Sequence, residues 1–118
     1  MILYNEKNNI VNLNLLVLRC LDIKKSKEFY EKLSFSFVEE QHGKGPLHYS
    51  TTIGSLVLEL YPLGKSNIDN IRLGFTIDNK KILDNENIEI VSKYSFNDVM
   101  TYVVVDPDGR KVEIQVIE

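Results

Sequence analysis

LNLLVLRCLDIKKSKEFYEKL, residues 13–33, changes its hydrophobic pattern halfway along. The first part is a run of leucine and valine that reads as a strand ending near Cys20. Asp22 then stands before a set of good helix formers, where its carboxylate can accept the free N–H groups of a first turn. Ile23, Phe29 and Leu33, with Tyr30 beside them, recur at helical spacing, so a helix is expected from about Lys24 to Leu33. Its charged run KKSKEFYEK is a solvated face, with Lys27 and Glu31 forming an i,i+4 pair of marginal energy. Strand followed at once by helix is the first half of a repeating unit.

Working outward, FSFVEEQ (35–41) alternates as a second strand, and HGKGP (42–46) is a loop by its glycines and proline. HYSTTI and LVLELY flank Gly54 and Ser55, a strong hairpin signal because glycine supplies positive φ. The polar segment PLGKSNIDN (62–70) links this to IRLGFTID, a further strand. NKKILDNENI has room for only a stub of helix; IEIVSKYSF, MTYVVVD and KVEIQV are the closing strands, the last two joined by the turn DPDG. The order strand, helix, strand, strand, strand thus occurs twice, with a period of about 50 residues and the second helix cut short. The expectation is an α+β fold of two βαβββ modules, about 11–62 and about 70–118, related by a pseudo-twofold. One face of each mixed, curved sheet lies under its helix, and the opposite faces enclose a cavity.

At 118 residues the chain suits a single domain, and a hydrophobic fraction of 43% with 26% charged residues is ordinary for a soluble protein. A net charge of -3 and no basic run argue against nucleic acid as a partner. Cys20 is the only cysteine, so no intrachain disulfide forms and a reducing compartment fits. The opening MILYNEKNNI lacks the charge and apolar pattern of a signal peptide, and no apolar run approaches the roughly 20 residues that span a bilayer. A cytoplasmic location and no membrane partner are therefore expected.

Residues 13–33 resemble the opening of the vicinal oxygen chelate superfamily, which includes glyoxalase I, bleomycin-resistance proteins and extradiol dioxygenases. The likeness rests on Leu18, Arg19, Asp22, Ser26, Phe29 and Tyr30 in the spacing L-R-x-x-D-x-x-x-S-x-x-F-Y. VLELYP resembles the family's fourth strand, and DPDGRKVEIQ its last hairpin. The resemblance implies paired βαβββ modules assembled as a homodimer. It also implies metal-ligand positions in the first and last strands of each module. The last-strand positions fall on Glu59 and Glu113; the first-strand positions, seven residues before Asp22 and Asn79, fall on Leu15 and Arg72. Leu15 can donate nothing and Arg72 is a permanent cation, so this set does not hold the family's ion. In that reading Arg72 pairs bidentately with Glu113 inside the cavity and replaces the metal's charge.

Period-2 alternation puts Val57, Glu59 and Tyr61 on the face opposite Leu56, Leu58 and Leu60. That face suits a cavity wall or solvent. A two-residue turn at Gly54 and Ser55 pairs Ser50 with Glu59 and sets His48 beside Tyr61, so that His48 becomes a substitute ligand, a proton carrier, or a merely hydrogen-bonded strand residue. His42 is a solvated loop residue or part of a lid. Arg19 shares the phase of Leu15 and meets either a ligand or an acidic neighbour; Cys20, in the opposite phase, is expected to be buried and unreactive.

These readings favour a glyoxalase- or bleomycin-resistance-like protein that binds a small organic ligand, with no cofactor expected. Leu13, Leu15, Val17 and Tyr61 supply apolar wall; Arg19, His48, Arg72, Glu59 and Glu113 supply polar anchors. The alternative is a metal-dependent glyoxalase-like lyase or isomerase, or a dioxygenase-type enzyme, with a divalent ion held by Glu59, Glu113 and His48, which are also the candidate catalytic residues.

Overall fold

A computed structural model describes residues 3–4 and 10–117. Most of the opening segment read above for a leader lies outside the described residues, as does Glu118 at the end of module two. Two short strands, β1 (Leu3–Tyr4) and β2 (Ile10–Val11), pair antiparallel ahead of the repeat.

Module one follows as β3 (Leu15–Cys20), α1 (Ile23–Lys32), β4 (Val38–Glu40), β5 (His48–Ile53) and β6 (Leu56–Pro62). Asp22 caps α1 as expected, its carboxylate accepting from the backbone N–H of Lys24 and Lys25. The sheet order is β3-β6-β5-β4, with β3 parallel to β6 and the rest antiparallel. Module two repeats this with β7 (Leu73–Ile77), a 3-10 turn (Lys80–Asp84), β8 (Ser92–Phe96), β9 (Val99–Val105) and β10 (Lys111–Val116), in the order β7-β10-β9-β8.

The repeat holds down to register. Val17, five residues before the cap Asp22, pairs with Glu59; Gly74, five before the cap Asn79, pairs with Glu113. The stub in NKKILDNENI is a 3-10 turn because a single Asn79 cap and one buried leucine, Leu83, give it too little face to grow. IEIVSKYSF is strand only from Ser92 onward, where the pairing with β9 begins.

Side chains of one phase meet under the helices. Leu18, Cys20, Tyr30, Leu33, Leu58 and Leu60 join Leu73, Val104, Val112 and Ile114 in one core cluster. No strand pairing crosses between the modules among the described residues. The chain is a slab, 48 × 46 × 23 Å, with a radius of gyration of 15.6 Å. A fully compact chain of this length has about 13–14 Å. The two sheets are mixed as expected, but they are not closed around a cavity within the chain.

A buried knot holds the modules together. Arg110, just after the DPDG turn, is 1% exposed. Its guanidinium pairs with Asp106 at 3.1 Å, Asp108 at 3.3 Å and Asp69 of the linker at 3.0 and 3.1 Å, and it donates to the carbonyl oxygen of Arg19 in module one. Tyr30 Oη donates to Asp106 at 2.8 Å, Ser26 Oγ to Asp108 at 3.4 Å, and the Leu21 N–H to Asp108 at 3.1 Å. Burial, followed by the Asp106 carboxylate, drives the Tyr30 hydroxyl far above its ordinary range. Burial works against the Arg110 charge, but the Asp69 and Asp106 carboxylates outweigh it and fix the guanidinium as a cation. The hydrogen bond from Arg110 holds the Asp69 carboxyl below its usual value.

Candidate functional site

The open face of module one is built from the phase that misses the core. Gly54, at φ +59°, occupies the first place of the two-residue turn, and the hairpin registers as Ser50↔Glu59 and Thr52↔Val57. His48 consequently sits beside Tyr61, their rings stacked at 4.1 Å and 11°. On the other flank, the Arg19 guanidinium lies 5.0 Å from the Tyr61 ring and donates to the Pro62 carbonyl oxygen at 3.3 Å. So Arg19 pairs with an aromatic ring and a carbonyl, neither of them acidic. Leu15 is half exposed at the rim, opposite Val57, and Leu13 beside it is exposed too.

His48 is 1% exposed, and its Nδ1 lies 3.1 Å from the Pro46 carbonyl oxygen. Its Nε2 faces Glu40 Oε1 at 3.5 Å and Glu59 Oε2 at 3.6 Å. The loop residue His42, exposed as expected, nonetheless sets its ring 5.1 Å from that of His48. The antiparallel pair Glu40↔His48 brings Glu40 into the group.

The open face of module two carries Glu113 on β10. Arg72 approaches it from just before β7, so the two do share one face. The pair is a single Nη1–Oε1 contact at 3.5 Å, with the Arg72 side chain 56% and Glu113 23% exposed. This corrects the expected buried, bidentate bridge: Arg72 precedes β7, the edge strand of its sheet, and its side chain stays more than half exposed. Glu113 is held instead by Tyr94 Oη, which donates to Oε1 at 2.8 Å and whose own ionisation that carboxylate pushes up. Gly74, Thr76, Thr101, Glu113 and Gln115 line a hollow of about 220 Å³ here.

The set Glu59, Glu113 and His48 is therefore split. Glu59 and His48 are together in module one, while the side-chain partners of Glu113 belong to module two. Cys20 is fully buried on the helix side, and burial pushes its thiol up to about 11. Sequence reasoning missed Glu40, Tyr94, Thr101 and the whole Arg110 knot. Only the knot left a signal, in the DPDGR string itself.

No helix among the described residues is long and apolar enough to cross a membrane. Neither a protein-family model nor a curated protein sequence matches the chain. Solved structures do. An integron cassette protein from V. cholerae superposes with a TM-score of 0.70 at 23% identity, covering 93% of this chain and 98% of that one. Lactoylglutathione lyase from Agrobacterium tumefaciens gives 0.69 at 14% identity, covering 89% and 92%. A glyoxalase family protein from Enterococcus faecalis gives 0.65 at 21% identity, covering 88% and 96%. The fold of the chain is that of the glyoxalase-like, vicinal oxygen chelate proteins.

Proposed function

We propose that the protein binds a small organic ligand against the open faces of its sheets, in a cavity that a second copy of the chain completes. The observation that carries this reading is the hollow around Glu113, where an anchored carboxylate and the Thr101 and Gln115 side chains border about 220 Å³. The matching face of module one supplies an aromatic ring, Tyr61, between a guanidinium and an imidazole. Flat apolar area with a few fixed polar groups is what recognises an amphipathic molecule. Exposed Leu13, Leu15, Val38, Tyr94 and Phe96 on the edges and open faces favour burial against a partner. A cytoplasmic setting suits a protein with a single reduced thiol.

The residues at the family's metal position do not suit an ion. Leu15 carries no donor atom, and the cationic Arg72 stands 3.5 Å from the Glu113 carboxylate. Binding, with or without turnover, is therefore read without an ion at that position. Sequestration of a toxic compound, as in bleomycin resistance, is one use for such a cavity.

Ligand-observed NMR against a panel of small amphipathic organic molecules tests the proposal. Hits are expected, weakened more than about tenfold by Glu113→Gln or Tyr61→Ala, as losing a charged hydrogen bond or a stacking surface requires. A panel with no hits, or hits indifferent to both variants, refutes it. Sedimentation giving a monomer mass from micromolar to sub-millimolar concentration refutes the homodimer.

A further inference from the structure

The imidazole of His48 has a buried nitrogen with nothing to bond. Its Nδ1 is within hydrogen-bond distance of the Pro46 carbonyl oxygen, which assigns the proton to Nδ1 and leaves Nε2 a free lone pair. Nε2 is inaccessible to solvent and has no hydrogen-bond partner among the described residues. A buried polar atom in that state is costly and calls for an occupant.

Its surroundings say which occupant. Glu40, His42 and His48 each offer one donor atom, and all three atoms lie within 4.8 Å of one another. Glu59 Oε2 is 3.6 Å from Nε2, close to the 3.5 Å of Glu40. Both separations exceed an ordinary hydrogen bond. They match the edge of a tetrahedron around an ion with bonds of about 2.0–2.1 Å, which is about 3.4 Å. Two imidazoles and a carboxylate, with a second carboxylate beside them, are a borderline nitrogen and oxygen set suited to zinc, cobalt or nickel. The supporting contacts are of the kind metal ligands have: the Nδ1–H to a backbone carbonyl fixes the tautomer, and the Tyr61 ring fixes the plane.

The geometry points to a divalent transition-metal site on module one formed by Glu40, His42 and His48, with Glu59 as the adjoining fourth ligand. It lies on β4, β5 and the loop between them, with Glu59 reaching in from β6, displaced from the first-strand position of Leu15. The site shares His48 and the Tyr61 ring with the module-one face of the organic-ligand reading, but its ligands are confined to module one and the hollow around Glu113 is not needed for it.

The rival occupant is a proton, which would make His48 a cation bridging Glu40 and Glu59. Titration of the full chain, stripped with chelator and free of any affinity tag, separates the two. Co²⁺ is followed by its visible absorption and Zn²⁺ by calorimetry. One ion per chain is expected, with the His48 Nε2 nitrogen shift moving on saturation. His42→Ala and Glu40→Gln, whose side chains are exposed or half-buried and so leave the core alone, are each expected to weaken uptake by about tenfold or more. Glu113→Gln is expected to leave it unchanged. Absence of saturable uptake, or uptake indifferent to both His42→Ala and Glu40→Gln, overturns the site. An Nε2 resonance showing a bound proton in the presence of excess Zn²⁺ overturns it as well.

Discussion

Replacing Arg110 by methionine tests what holds the two modules together. The guanidinium is fully buried against Asp106, whose side chain is also fully buried, and against Asp108, 3% exposed. Removing one partner of a buried pair costs about 3–5 kcal/mol, because the remaining charge keeps its desolvation penalty. Asp106 retains three donors: Tyr30 Oη and the backbone N–H groups of residues 108 and 110. Asp69, 35% exposed, can turn to water, so its share is at most about 1 kcal/mol. The expected loss is therefore near the lower end, about 3–4 kcal/mol, a large part of the 5–15 kcal/mol that stabilises a typical domain. Urea unfolding followed by circular dichroism, at one fixed protein concentration for both proteins, reads this as a lower midpoint at unchanged slope. Adding Asp106→Asn to the variant removes the stranded charge and should recover part of the loss. A change below about 1 kcal/mol for Arg110→Met would show that the knot is solvated and contributes little.

Arg72→Met, at the other arginine–carboxylate pair, should change stability by no more than about 1 kcal/mol in the same assay, since its side chain is 56% exposed and its contact long. The Asp69 carboxyl is held low in the folded state, so the unfolded chain binds its proton first as pH falls; the stability this group supplies is present above its unfolded value near 4 and lost as pH drops through the folded one. Acid titration of the midpoint should show that loss, and Asp69→Asn should flatten it. Cys20, buried and with its thiol pushed up to about 11, should resist iodoacetamide at pH 8 and react fully only in denaturant; rapid labelling of the native protein would contradict its placement. Gly54→Ala should destabilise by about 1 kcal/mol from backbone strain alone, because φ is +59° and no atom lies within 4 Å of the new methyl.

Most strands of the two modules and the first helix were legible because each carries its own local signal, such as the Asp22 cap, the glycine turn at 54–55 and alternation along 56–61. The β1–β2 pair was not read, and FSFVEEQ (35–41) is strand only at Val38–Glu40. The hairpin register followed from the turn length, and with it the placement of His48 next to Tyr61 and Glu59. What could not be read were contacts set by tertiary distance. Whether Arg72 met Glu113 in a dry interior depended on how far module two is covered, which no local pattern encodes. Glu40 joined His48 through the β4–β5 register, which depends on the path of the loop 41–47, held by Gln41 Nε2 donating to the Gly45 carbonyl oxygen and by the Gly45 N–H to that of His42. Tyr94 reached Glu113 because β8 and β10 both pair with β9, an order that sequence spacing does not fix.

The motifs in residues 13–33 and 106–110 gain a meaning in time as well as in space. Tyr30 and Asp106 are 76 positions apart, Ser26 and Asp108 are 82, and Arg110 reaches back 91 to the carbonyl of Arg19. A chain emerging from the ribosome lays out the strands and helix of module one while its buried tyrosine hydroxyl still lacks an acceptor. The closing β9–β10 hairpin delivers that acceptor last. Contacts of such span are slow to form, since the loop between them must be ordered before they return any stability. Module one thus waits, incompletely satisfied, for the β9–β10 hairpin, and a chain cut before Asp106 should keep its core less protected than the full one, which limited proteolysis would read.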